Sequence, residues 1–273
     1  MGVTLTWETA LVTGASRGIG RGIALKLAES GIKRITVNYL ENDAAANETA
    51  KKLKDRDAEC TLLKGDIGKM DFVRSMFAKV KAEYGGLDVF VHNARPSPAA
   101  FYQAPEQITE ASLRAAFESQ AVCMTISCQE CGKLMTKGGR ILGITYAPGN
   151  KGGWQPWIGM GGAKAALEST VRYFAVAYAK RGITVNSVSP GATDDSVFNT
   201  LPAEVYTAVK TWNESGWTPA ARMGTPADIG NAVSLLCAEE ASWITGQTLY
   251  ADGGNSLMDA AFPLPVQGVT GKS

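Results

Sequence analysis

Short runs of β-branched and aliphatic residues alternate with longer helical stretches along nearly the whole chain, and few folds accept that alternation. Ala10-Leu11-Val12, Ile35-Thr36-Val37, Cys60-Thr61-Leu62-Leu63, Asp88-Val89-Phe90-Val91, Ile141-Leu142-Gly143-Ile144, Thr184-Val185-Asn186 and Thr248-Leu249-Tyr250 read as seven strands. Between them lie helical stretches at roughly 19–30, 44–54, 70–84, 110–135, 159–181 and 226–240. Crossovers between parallel strands are right-handed, so the pattern predicts an α/β, doubly wound seven-stranded parallel sheet with helices on both faces. Its ligands then sit at the carboxyl ends of the strands.

At 273 residues, with no Pro/Ser-rich linker, charge block or repeat, the chain reads as one domain spanning 1–273. The stretch from about 192 to 223 breaks the alternation. It carries Phe198, Leu201, Val205, Tyr206, Trp212 and Trp217 among polar residues, and it follows a strand end on the ligand side. It is therefore expected to be a substrate lid rather than a helical excursion that only covers core.

With 27 basic and 26 acidic residues the formal charge is +1, which leaves no electrostatic footprint for nucleic acid or an anionic membrane. The expected partner is a small molecule. No apolar run of about 18 residues or more and no basic start followed by an apolar stretch occurs, so a cytoplasmic protein is expected. No metal site is expected. Cys128 and Cys131 lie close together in a helical pattern, and the chain's single histidine, His92, offers them no ligand set, so they read as buried core thiols. His92 itself reads as a satisfied residue at a strand end.

Thr13-Gly14-Ala15-Ser16-Arg17-Gly18-Ile19-Gly20 falls between the first strand and the first helix. Glycines there permit a tight turn and close approach of backbone N–H groups to a pyrophosphate, to which the helix amino terminus adds partial positive charge. A glycine motif alone is weak evidence for the dinucleotide site of a Rossmann fold, and its spacing differs from the commoner dinucleotide fingerprint.

The spacing Gly14, Gly18, Gly20 resembles that of the short-chain dehydrogenase/reductase family. The resemblance extends through Gly65-Asp66-Ile67, Asn93-Ala94, Ser189-Pro190-Gly191 and Asp252-Gly253-Gly254, in order, from about Thr9 to Asn255. It implies that Gly14, Ser16, Arg17, Gly18, Ile19, Gly20, Asn38, Asp66, Ile67, Asn93, Ala94, Lys164, Pro190, Gly191 and Thr193 hold the cofactor. It also implies assembly into a homodimer or homotetramer through the two long helices. Arg17 can pair with a 2′-phosphate, and Asn38-Tyr39-Leu40 lacks the acidic residue that would bind a ribose 2′-hydroxyl, so NADPH is expected over NADH despite the neighbouring Glu41.

In this family a serine, a tyrosine and a lysine act together, with tyrosine the proton donor. Lys164 is present, but the places four and seven residues before it hold Met160 and Trp157. The serine position falls on Tyr146, the helix asparagine on Gln120, and Asn-Ala-Gly becomes Asn93-Ala94-Arg95. In Thr145-Tyr146 and Trp157-x-x-Met160-x-x-x-Lys164 the chain resembles the enoyl-acyl-carrier-protein reductase branch, with Trp157 in place of a tyrosine. Seven residues are nearly two helical turns, so positions 157 and 164 would share a face about 10 Å apart.

An indole N–H donates a hydrogen bond but delivers no proton. A positioned general acid is worth about 10²–10⁴-fold, and its loss harms most where hydride addition makes a basic alkoxide. The expected reaction is therefore hydride delivery to an activated C=C or C=N bond of an apolar small molecule, such as secondary metabolism offers. The expected catalytic set is Tyr146, Lys164, Trp157 and Arg95. Tyr146 is either the proton or hydrogen-bond donor or a plain pocket wall, and Arg95 either binds an anionic group or is a solvated loop charge. Two other readings stay open: a cofactor-binding protein that isomerises, cyclises or only binds a ligand, and a conventional ketoreductase that uses Tyr146.

Overall fold

The computed structural model describes residues 2–96, 103–146, 155–195, 202–259 and 264. Its strands are β1 (Thr9–Val12), β2 (Arg34–Tyr39), β3 (Glu59–Lys64), β4 (Val89–His92), β5 (Gly139–Ile144), β6 (Ile183–Pro190) and β7 (Thr248–Ala251). They form one parallel sheet in the order β3-β2-β1-β4-β5-β6-β7. The helices are α1 (Gly18–Glu29), α2 (Asp43–Lys54), α3 (Met70–Tyr84), α4 (Glu110–Phe117), α5 (Cys123–Leu134), α6 (Ile158–Tyr178), α7 (Ala203–Trp212) and α8 (Pro226–Cys237). The doubly wound sheet expected from the sequence is the architecture found.

Successive residues of a strand point to opposite faces, and the core divides accordingly. Ala10 and Val12 of β1 join Ile23, Leu27, Ile229 and Val233 of α1 and α8 on one side. Leu11, between them, joins Val73, Phe77, Met124, Leu167 and Val171 of α3, α5 and α6 on the other. Burying each such large side chain contributes about 1.5–3 kcal/mol. Cys128 and Cys131 lie wholly inside this second layer, and burial holds both thiols well above the usual cysteine range.

Two elements differ from expectation in ways that shape the site. The single helix expected over 110–135 is interrupted by a π turn at Glu118–Val122. The wider turn accommodates one extra residue and brings Ser119 and Gln120 inward, both buried. β6 runs eight residues rather than three, because Ser187 and Ser189 are as fully buried as their aliphatic neighbours and Pro190 still pairs with Ala251 of β7. The polar serines disguise that strand in the sequence. Within the irregular stretch after β6, α7 is followed by a π turn at Asn213–Trp217, across which Trp212 at the end of α7 stacks on Trp217 at 4.9 Å. Phe198 and Leu201 lie outside the described residues.

Candidate active site

Val12 of β1 is in register with Val91 of β4, while the chain crosses from β1 to β2 on one side and from β4 to β5 on the other. The crevice of a doubly wound sheet opens at such a reversal, above the carboxyl ends of β1 and β4. A cleft of about 1050 Å³ lies there.

One end of the cleft is the glycine turn. Gly14 has φ +63° and Gly18 φ +56°, backbone conformations that suit glycine. A Cβ on Gly20 would stand 2.3 Å from Gly14 O and 2.5 Å from Asn93 Nδ2, so no side chain fits. Asn93 Nδ2 donates to Thr13 O at 3.0 Å and Gly14 O at 3.2 Å, and the Thr13 hydroxyl accepts from Asn93 N and Ala94 N, both at 3.0 Å. These bonds lock the turn after β1 to the end of β4. Asn38 is buried, its amide donating to Leu63 O and Gly65 O at 3.1 Å, so it braces the β2 and β3 ends. Arg21 Nη2 donates to Ser16 O at 2.7 Å and to Ala45 O at 3.1 Å, which ties the turn to α2. The N-cap residue of α1 is Arg17, whose side chain makes no capping hydrogen bond.

At the other end stand the groups expected to do chemistry. Lys164 is 4 % exposed, and its Nζ donates to Ile144 O. Burial, with the Arg95 guanidinium adding to it and Glu168 opposing, brings the Lys164 amine down to about 7. Tyr146 packs its ring against Trp157 edge to face, centroids 5.2 Å apart. It remains 37 % exposed toward the cleft, while the surrounding protein raises its phenol above the usual tyrosine value. Trp157 does not lie within the helix as the spacing suggested. It ends a 3-10 turn (Gln155–Trp157) and is the N-cap residue of α6. Met160 is wholly buried against Ala116 and Ala163, turned away from the cleft.

Every residue expected from the sequence to bind cofactor or act on substrate lines this one cleft, from Gly14, Ser16, Arg17, Gly18, Ile19 and Gly20 through Asn38, Asp66, Ile67, Asn93 and Ala94 to Arg95, Tyr146, Trp157, Lys164, Pro190, Gly191 and Thr193. Sequence reasoning missed Leu40, Ala115, Glu118 and Ser119 in the lining, as well as Thr145. The π turn brings Glu118 and Ser119 in, and no periodicity signals such a turn. Gln120 sits behind the lining, donating to Ala94 O at 3.1 Å. Val205 and Val209 of α7 supply an apolar wall.

The glycine cradle with no room for a Cβ, the α1 terminus with no capping bond from Arg17 and a cleft running on to Lys164 fit an elongated dinucleotide. Comparison with known proteins agrees. The family described as enoyl-(acyl carrier protein) reductase matches residues 14–256. The 1-cyclohexenylcarbonyl-CoA reductase of Streptomyces collinus is 33% identical over 93% of this chain and 89% of that protein. Among solved structures, the angucycline C-6 ketoreductase LanV with bound NADP is 31% identical, with a TM-score of 0.82 over 94% of this chain and 99% of that one. The promiscuous reductase LugOII, which catalyses keto-reduction at C1 during lugdunomycin biosynthesis, is 30% identical, with a TM-score of 0.81 over 92% and 99%.

Proposed function

The chain belongs to the short-chain dehydrogenase/reductase family, and we propose that it is an NADPH-dependent reductase that delivers hydride to an activated C=C or C=N bond of an apolar small molecule. The observation that carries this reading is the Tyr146–Trp157 ring pair beside Lys164, with Met160 turned into the core. An indole and a phenol stand where the family's tyrosine and serine are expected.

NADPH, when bound, supplies the hydride. Lys164 then holds the ribose hydroxyls, and Trp157 with Val205 and Val209 walls the acceptor from water. Burial keeps the Tyr146 phenol protonated, so it acts as the hydrogen-bond or proton donor to the carbonyl oxygen of a conjugated acceptor. Arg95 lies close enough to depress the Lys164 amine and so places positive charge where negative charge develops on that oxygen. Supporting the C=C reading, the substrate named for the Streptomyces collinus relative carries its alkene on the carbon that bears the carbonyl. The two ketoreductase structures favour a second reading, in which Tyr146 protonates an alkoxide. Arg17 at the glycine turn supports NADPH, and α7 is the covering element of the proposed single-domain enzyme.

Loss of NADPH absorbance is the deciding measurement, with matched conjugated enones, iminium ions and isolated ketones as acceptors. Turnover of the first two classes at least about 10²-fold faster than ketones supports the proposal, and comparable rates establish the ketoreductase. Product formation without NADPH consumption overturns both. Tyr146→Phe is expected to cost about ten-fold or more in kcat/KM, and a change under about two-fold removes Tyr146 from the mechanism.

We also infer a homodimer or homotetramer, supported by Tyr173 (77 % exposed) and Val176 (82 % exposed) on α6. Among the described residues no helix is long and apolar enough to cross a membrane, and the cytoplasmic location is proposed on the sequence.

A further inference from the structure

Directly behind Lys164 stands a carboxylate outside every motif recognised in the sequence. Glu168 lies four residues further along α6, and side chains so spaced are neighbours, with Cβ atoms about 5–6 Å apart. Its Oε1 accepts a hydrogen bond of 2.6 Å from the Thr145 hydroxyl. Thr145 is 2 % exposed, and its N–H donates to Val188 O at 2.9 Å, so the hydroxyl is held by the sheet rather than by a loop. Three consecutive residues at the end of β5 thus engage the site in turn. Ile144 takes Lys164 through its carbonyl, Thr145 takes Glu168, and Tyr146 packs on Trp157.

We propose that Glu168 is a positioning residue, whose carboxylate, fixed to β5 by Thr145, is the counter-ion that keeps the Lys164 ammonium charged in its buried seat. The proposal rests on the reading of Lys164 as the ribose anchor, because a charged ammonium is the stronger donor to ribose hydroxyls. The charged or titratable groups that face Lys164 are Arg95 from the loop after β4, His92 at the end of β4, Tyr146 after β5 and Glu168 on its own helix. Arg95 repels the ammonium, and His92 and Tyr146 are neutral near neutral pH. Glu168 is the acidic member of the set, and in its absence burial and Arg95 act on the lysine unopposed. In a family member that keeps its catalytic tyrosine, the lysine also serves that phenol. Here the cleft that Lys164 lines carries the Trp157 indole instead.

Glu168→Gln keeps an oxygen that accepts from the Thr145 hydroxyl and removes only the charge. Thr145→Val keeps the charge and removes its tether. The first readout is NMR titration of Lys164 in cofactor-free protein carrying 13C-labelled lysine, with the signal assigned by Lys164→Arg. The Lys164 midpoint is expected to fall by about one pH unit in Glu168→Gln, to fall by less in Thr145→Val, and to return in Glu168→Asp. The second readout is NADPH affinity by fluorescence across the same pH range, where Glu168→Gln should weaken binding about ten-fold above the wild-type midpoint and little below it. A Glu168→Gln midpoint that coincides with wild type overturns the proposal. If wild-type protein binds neither NADPH nor NADH, the ribose-anchor reading falls, while the NMR titration still decides whether Glu168 holds the charge of Lys164.

Discussion

Acidification to about pH 4.5 should destabilise this fold through one residue. His92 is wholly buried at the end of β4, its Nδ1 3.9 Å from Cys123 Sγ, and its Nε2 has no hydrogen-bond partner among the described residues. Burial first, and the charge of Lys164 second, push its imidazole down to about 3 from an ordinary value of 6.5, although Gln120 and the Ser119 backbone favour the protonated ring. The folded value lies below the unfolded one, so the unfolded chain takes up the proton first. Stability is then fully present above pH 6.5 and is lost as pH falls toward 3. Each unit below 6.5 costs about 1.4 kcal/mol, which gives roughly 2.7 kcal/mol at about pH 4.5 and roughly 5 kcal/mol at the lower limit. That is a large share of the 5–15 kcal/mol typical of a folded protein. The assay is urea unfolding at a series of pH values for wild type and His92→Gln, since the difference between them cancels what the carboxylates contribute. The chain has one histidine, so its imidazole signal is a single NMR resonance and can be titrated beside the unfolding curves. Parallel pH profiles for wild type and variant, or an imidazole that titrates near 6.5, would refute the reasoning.

Two further substitutions probe the site. Trp157→Tyr places a phenol in the cleft beside Lys164 and is expected to raise turnover of isolated ketones by about ten-fold or more, whereas Met160→Tyr buries a phenol against Ala116 and Ala163 and should cost about 1–3 kcal/mol of stability with no gain in rate; a gain in Met160→Tyr instead would sink the assignment of Trp157 to the site. Gly20→Ala drives a methyl into Gly14 O and Asn93 Nδ2. Its NADPH affinity should drop at least about ten-fold on fluorescence titration, and unchanged affinity would mean that the turn does not cradle the cofactor.

The fold was legible because its strands are buried on both faces and therefore read as short apolar runs separated by helix-length intervals. Met70–Tyr84 has the bounds the sequence gives, since Gly85, with φ +77°, stops the helix in a way that sequence announces. The glycine turn was legible for the same reason: backbone geometry restricts the residue type. What stayed hidden was decided by tertiary packing. Nothing in Glu110–Phe117 and the residues after it distinguishes a π turn at Glu118–Val122 from a continued helix, yet that turn brings Glu118 and Ser119 into the cleft lining. Likewise Glu168 reads as one more acidic residue in an amphipathic helix until the sheet presents the Thr145 hydroxyl to it.

The two vacant tyrosine positions make the same point at the level of chemistry. By spacing alone, Met160 and Trp157 are equal candidates for the missing phenol, four and seven residues before Lys164. The helix settles which one lines the cleft. Met160 lies within α6 and turns toward α4, whereas Trp157 precedes the first helical residue and is directed by a 3-10 turn toward Tyr146. A replacement at the buried Met160 changes packing, and a replacement at the half-buried Trp157, which lines the cleft, changes what the cleft can donate. The indole therefore takes the place of a proton source in the cleft without opening a hole in the core, and under the proposed mechanism the burden of donation passes to Tyr146, the phenol that packs on it.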